Sequence, residues 1–205
     1  MAKVSSPSRV LAIDPTPRDF GYAILEGSTD LIDWGVKSVR CKSIEKEIET
    51  VSKITDLIQH YLPQYLILEK PNSKSSRRCG RVRLLLGTLQ NVAVWQGIES
   101  RNISPEKLKK VFLTFGCNTK LQTAHFVAQQ FPGLADQLPA YRKPWMSEDY
   151  HMAIFDAVAL ALAYYYTRGI RNLPKKAPAD SQSGVCFRRR DNPIPSTSSN
   201  GAFPQ

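Results

Sequence analysis

Short apolar runs with small gaps fill the first forty positions, and longer spaced patterns follow. Arg9 to Ile13 (RVLAI) is a largely apolar run of β-forming residues and reads as a buried strand ending at Asp14. After the turn PTPRD, FGYAILEG gives a second strand and LIDWGVKSV a third, at spacings that suit an antiparallel meander. From Ser43 the period changes. Ile44, Ile48, Val51, Ile54, Leu57 and Ile58 recur at helical spacing with charges between them, and Pro63 closes that helix. QYLILEK then forms a fourth, very apolar strand ending at Glu69.

The polar, basic segment PNSKSSRRCGR separates this strand from RVRLLLGTLQNVAVWQ, a buried helix, and GIESRNI is a short fifth strand. SPEKLKKVFL starts a helix with Ser104 as its N-cap and Pro105 at the first helical position. Gly116 ends it, and KLQTAHFVAQQF makes another. PGLADQLPAYRKPWM is irregular. Ser147, followed by Glu148 and Asp149, predicts the capped start of a long helix through DAVALALAYYY. This order of strands and helices predicts an α/β fold built on one mixed sheet. From Asn172 onward the chain turns to Pro, Ser, Asn and Lys/Arg without apolar periodicity. The expectation is a folded domain over 1–171 and a disordered basic tail over 172–205.

Charge narrows the partners. The net charge is +10 and the isoelectric point about 9.6. An excess of this size favours a polyanion, because cationic side chains near phosphates release condensed counterions. The tail contributes through Lys175, Lys176 and Arg188 to Arg190, against Asp180 and Asp191. No apolar run reaches the ~18 residues of a membrane span, and the start MAKVSSPSRVLAID has no apolar targeting segment, so residence in the cytosol is expected. Cys41, Cys79, Cys117 and Cys186 form no CxxC pair or zinc spacing, and reduced thiols are the default there.

Three acids stand beside apolar runs where an acid is unexpected. Asp14 follows VLAI, Glu69 follows YLIL, and Asp156 lies between MAIF and AVALALA. Buried carboxylates are rare unless paired or bound to metal. If the first and fourth strands are neighbours, Asp14 and Glu69 lie side by side at one sheet edge, and a helix packed across that edge brings Asp156 to them. Converged carboxylates repel unless cations neutralise them. Mg²⁺, or Mn²⁺ in its place, is the physical match, and a pair of such ions can drive phosphodiester hydrolysis.

These residues also carry a family resemblance. LAIDPTPRDFGYAILE is similar to the opening of the RuvC family of Holliday-junction resolvases, in which Asp-Pro ends the first strand and a Gly begins the second. PQYLILEK resembles the family's second acidic motif, SPEKLKKVFLTFGCNTKLQTAHFV its helix–Gly turn–Lys segment, and DAVALALAYYY its closing helix. The match runs over roughly residues 9 to 168, in order. It implies an RNase H-like fold with a five-stranded mixed sheet and helices on both faces, a homodimer, and Mg²⁺-dependent cleavage of branched DNA. Asp14, Glu69 and Asp156 take the metal-ligand role by position.

The chain departs from the family in several places. Thr16 stands where Gly is usual, and the stretch from Pro132 to Trp145 is long. Met152 and Ala153 occupy the turn where the family has a further Asp or His, which leaves His151 or Glu148 as the fourth ligand if the helix starts late. The loop after Glu69 carries Lys74, Arg77, Arg78 and Arg81 beside the acids and has no aromatic residue for stacking at a junction. These cations are candidate phosphate contacts. Lys109 and Lys120 match family lysines that approach DNA. Two other functions fit the same residues: an RNase H-fold nuclease acting on RNA or other branched DNA, and a non-catalytic nucleic-acid-binding relative.

Overall fold

A computed structural model describes residues 8–39, 43–71, 78–140, 145 and 147–169. The expected tail, together with Lys74 and Arg77, lies outside the described residues. The elements run β1 (Arg9–Pro15), β2 (Asp19–Glu26), β3 (Asp30–Ser38), α1 (Ser43–Tyr61), β4 (Tyr65–Glu69), α2 (Gly80–Trp95), β5 (Glu99–Ile103), α3 (Pro105–Leu113), α4 (Lys120–Gln130), a 3-10 helix (Pro132–Gln137) and α5 (Met152–Thr167).

The five strands form one sheet in the order β3-β2-β1-β4-β5. β1–β2 and β2–β3 are antiparallel, while β1–β4 and β4–β5 are parallel. The mixed sheet follows from connection length: tight turns link the meander, and helical crossovers α1 and α2 return the chain to parallel strands. Alternate residues of β1 feed two cores. Leu11 and Ile13 pack with Ile54 and Leu57 of α1 and Leu86 and Leu89 of α2. Val10 and Ala12 pack with Phe112 of α3, Val127 of α4 and the length of α5. Burial on both faces explains why β1 and β4 read as continuous apolar runs rather than alternating ones. This is the RNase H-like α/β architecture expected. Among the described residues, no helix is long and apolar enough to cross a membrane.

The start of α5 differs from the expectation. Ser147 does not cap it; the helix begins at Met152 after the non-helical residues 147–149 and a turn at Tyr150 and His151. Asp149 competes for the chain instead. Its Oδ1 accepts the His151 backbone N–H at 2.9 Å, and its carbonyl accepts from Met152 at 3.0 Å, which delays the helical ladder. From Met152 to Tyr165 every residue is buried except Asp156, which keeps partial exposure.

Candidate active site

Strand pairing sets the first two acids side by side. Ile13 and Leu68 are partners in the parallel register of β1 and β4, so Asp14 and Glu69 follow one step later at the same edge. Asp14 is 2 % exposed. α5 packs against both β1 and β2, and Asp156 of α5 lines a cleft of about 540 Å³ together with Asp14 and Glu69.

Among the described residues, Arg78 and Lys120 bind these acids. Arg78, just before α2, donates from Nε and Nη2 to Glu69 Oε2 at 3.0 and 2.9 Å, from Nη2 to Asp14 Oδ1, and from Nη1 to the Pro15 carbonyl at 2.7 Å. Lys120 Nζ donates to Asp156 Oδ2 at 2.7 Å and to Glu148 Oε1 at 3.2 Å. The late start of α5 leaves Glu148 on the preceding loop, within reach of this lysine. Among the described residues, no three His, Cys, Asp or Glu side chains already surround one point as metal ligands. The acids are held instead as two cation-bridged pairs.

Electrostatics agree with the geometry. Burial pushes the Asp14 carboxyl up to about 7; Arg78 opposes that shift and Asp156 adds to it. Burial likewise raises Asp156, with Lys120 opposing and Glu148 reinforcing. Arg78 and Lys120 both move further into the protonated range, because the attraction of their carboxylate partners outweighs desolvation. Four carboxylates make an all-oxygen donor set suited to a hard divalent ion, and the site already requires positive charge to hold its acids together. The donor chemistry is that of a hard divalent ion.

The remaining sequence-selected residues divide. Lys109 of α3 is exposed and lines the cleft. Lys120 opens α4 through a reciprocal capping box, in which Thr119 accepts from the Gln122 backbone and the Gln122 side chain accepts from the Thr119 backbone. That T-x-x-Q signature is visible in the sequence and fixes where Lys120 points. Arg81 is exposed on the first turn of α2 and lines a separate small cavity with Thr16, Arg18 and Lys46. His151 turns to Asp149, with Nδ1 3.0 Å from Oδ1, and its ring lies 3.8 Å from that of Tyr150. Arg78 faces the carboxylates, which its place in a run of loop charges concealed.

The chain matches no protein-family model. The crossover junction endodeoxyribonuclease RuvC of Synechocystis sp. is 31% identical over 183 residues, spanning 84% of this chain and 98% of that protein. The RuvC of Chromohalobacter salexigens is 28% identical over 199 residues, 93% of this chain and 98% of the relative. Among solved structures, Thermus thermophilus RuvC superposes with a TM-score of 0.58 at 17% identity, covering 79% of this chain and 97% of that one. The same protein in complex with a Holliday junction substrate gives 0.57 at 16% identity, covering 79% and 96%. The yeast mitochondrial Holliday junction resolvase gives 0.54 at 12% identity, covering 82% of each. These structural likenesses bear on the fold, and the sequence relationships carry the assignment: the chain belongs to the RuvC family of crossover junction endodeoxyribonucleases.

Proposed function

We propose that this protein is a Mg²⁺-dependent endonuclease that resolves four-way (Holliday) DNA junctions in recombination and repair, acting in the cytosol as a homodimer. The observation that carries this reading is the meeting of Asp14, Glu69 and Asp156 in one cation-lined cleft of a RuvC-family chain. Asp14, Glu69 and Asp156 are the catalytic metal ligands, with Mn²⁺ able to replace Mg²⁺. Divalent ions held there would offset the charge of the acids and of the incoming phosphate and would make a water more acidic. Glu148 is the fourth ligand rather than His151, because it shares Lys120 with Asp156 while His151 is engaged by Asp149.

The chain's own groups do the positioning. Asp14 and Glu69 sit on adjacent strand ends, so their spacing costs little further ordering when substrate arrives. Lys109 and Lys120 stand on the cleft wall where a phosphate backbone approaches. Arg81, exposed on the first turn of α2, offers a further positive charge to the junction arms. The second copy docks on α2, whose Leu84 and Trp95 are 71 % and 82 % exposed and share a helical stripe with Asn91.

Incubation with Mg²⁺ and a synthetic four-way junction, beside linear duplex and single-stranded RNA of matched sequence, tests the substrate class. Symmetric cutting of the junction is expected, with little action on the other two. Preferential cutting of RNA or linear duplex would contradict it.

A further inference from the structure

Arg78 spends every face of its guanidinium inside the acid cluster. Nε and Nη2 reach Glu69, Nη2 also reaches Asp14, and Nη1 reaches the Pro15 carbonyl. Two carboxylates and a backbone carbonyl are the kind of oxygen set that a hard divalent ion takes. A +2 ion between Asp14 and Glu69 would lie within a few ångströms of the guanidinium, where repulsion between like charges is severe. Lysine could escape that repulsion by losing a proton. Arginine cannot, because it stays protonated in proteins. It has to move.

The local structure allows that movement. Arg78 precedes α2, whose helical bonding begins with Arg83 donating to Cys79, so the side chain can swing without breaking the helix. Its side chain is 21% exposed, against 3% for Asp14, and so has a way out to solvent.

We propose that Arg78 is a placeholder cation: it neutralises Asp14 and Glu69 while they lack metal, and it is expelled when a divalent ion binds. This rests on the reading that Asp14 and Glu69 are metal ligands. Metal loading is then a competition with an internal cation, and the apparent affinity is reduced by the fraction of molecules in which Arg78 has already left. The side chain released at that moment stands beside the place where the scissile phosphate arrives.

The test is a Mn²⁺ titration of the DNA-free protein at pH 8, reading free Mn²⁺ by electron paramagnetic resonance. Wild type is compared with Arg78→Gln, Arg78→Lys and Asp14→Asn, and melting curves are taken in chelator and in excess Mn²⁺. Arg78→Gln should bind Mn²⁺ about tenfold more tightly, as for an Arg78-out population of about one tenth in wild type. Arg78→Lys, a point charge without the fork, should fall between the two. In chelator Arg78→Gln should melt below wild type, and excess Mn²⁺ should close the gap. Binding as weak as wild type or weaker in Arg78→Gln would overturn the placeholder role. Should that variant fail to fold in chelator, the same comparison is made with Arg78→Lys. Wild-type Mn²⁺ binding by Asp14→Asn would instead remove the metal-site reading, and this proposal with it.

Discussion

Gly21 and Ala153 meet so closely that a Cβ placed on Gly21 would lie 2.1 Å from the Ala153 backbone oxygen. Gly21 is the register partner of Asp14 on the neighbouring strand, and Ala153 lies one turn before Asp156 on α5. This bare patch of β2 therefore lets α5 descend onto the sheet far enough to carry its carboxylate to the strand-end acids. Gly21→Ala should cost about 3 kcal/mol, the upper part of the usual range for overpacking, because backbone rather than a flexible side chain blocks the methyl. Denaturant unfolding measures the loss. The soluble fraction should also cleave poorly, since α5 must lift. Wild-type stability would show that α5 is not pinned at this point.

Glu148 and His151 make a paired test of the fourth ligand. Glu148→Gln should raise the Mg²⁺ concentration needed for half-maximal junction cleavage by about tenfold or more. His151→Gln should leave that concentration unchanged. Mg²⁺ titrations of both variants decide the matter, and the reverse pattern would transfer the role to His151.

Lys109 lines the cleft, and neither of the two cation bridges that hold the acids uses it. Lys109→Ala should weaken junction binding and lower the slope of log K against log salt by about 0.9, the share of a single neutralised phosphate. Fluorescence anisotropy at several salt concentrations, with Ca²⁺ replacing Mg²⁺, gives the slope. An unchanged slope would place Lys109 off the DNA path.

The exposed stripe on α2 predicts the assembly. If two copies pair through α2 as proposed, Trp95→Asp should shift the chain to monomer, because a charge placed in the interface must be desolvated without a partner. Sedimentation equilibrium reads the mass directly. A monomeric wild type would contradict the proposed homodimer, and a variant that stays dimeric would move the interface elsewhere.

The strand-end acids could be found from the sequence because a carboxylate closing a doubly buried strand is conspicuous. VLAI and YLIL announce two central strands, and Asp14 and Glu69 stand at the same end of each. Asp156 was visible for a similar reason, as a single acid in an otherwise apolar helix. The beginning of that helix was not. Ser147-Glu148-Asp149 has the composition of a helix N-terminus, yet Asp149 bonds locally to His151 and holds the chain out of helix until Met152. Arg78 was misleading for a different reason. In a run of Lys, Ser and Arg it looks like one more solvated charge, and only the long-range placement of β1 beside β4 creates the acid pair that draws it inward.

The central claim is that the acids at this sheet edge perform the cleavage, and Asp14→Asn tests it most directly. The variant keeps the shape of the side chain and removes its charge. Both junction cleavage in Mg²⁺ and junction binding are measured on the same preparation, with circular dichroism to verify the fold. Loss of the metal-held charge stabilisation, worth several kcal/mol, predicts a fall in rate of at least about a thousandfold. Binding should be retained or tightened, since one negative charge no longer repels the phosphates. A folded Asp14→Asn protein that cuts the junction at close to the wild-type rate would contradict the account.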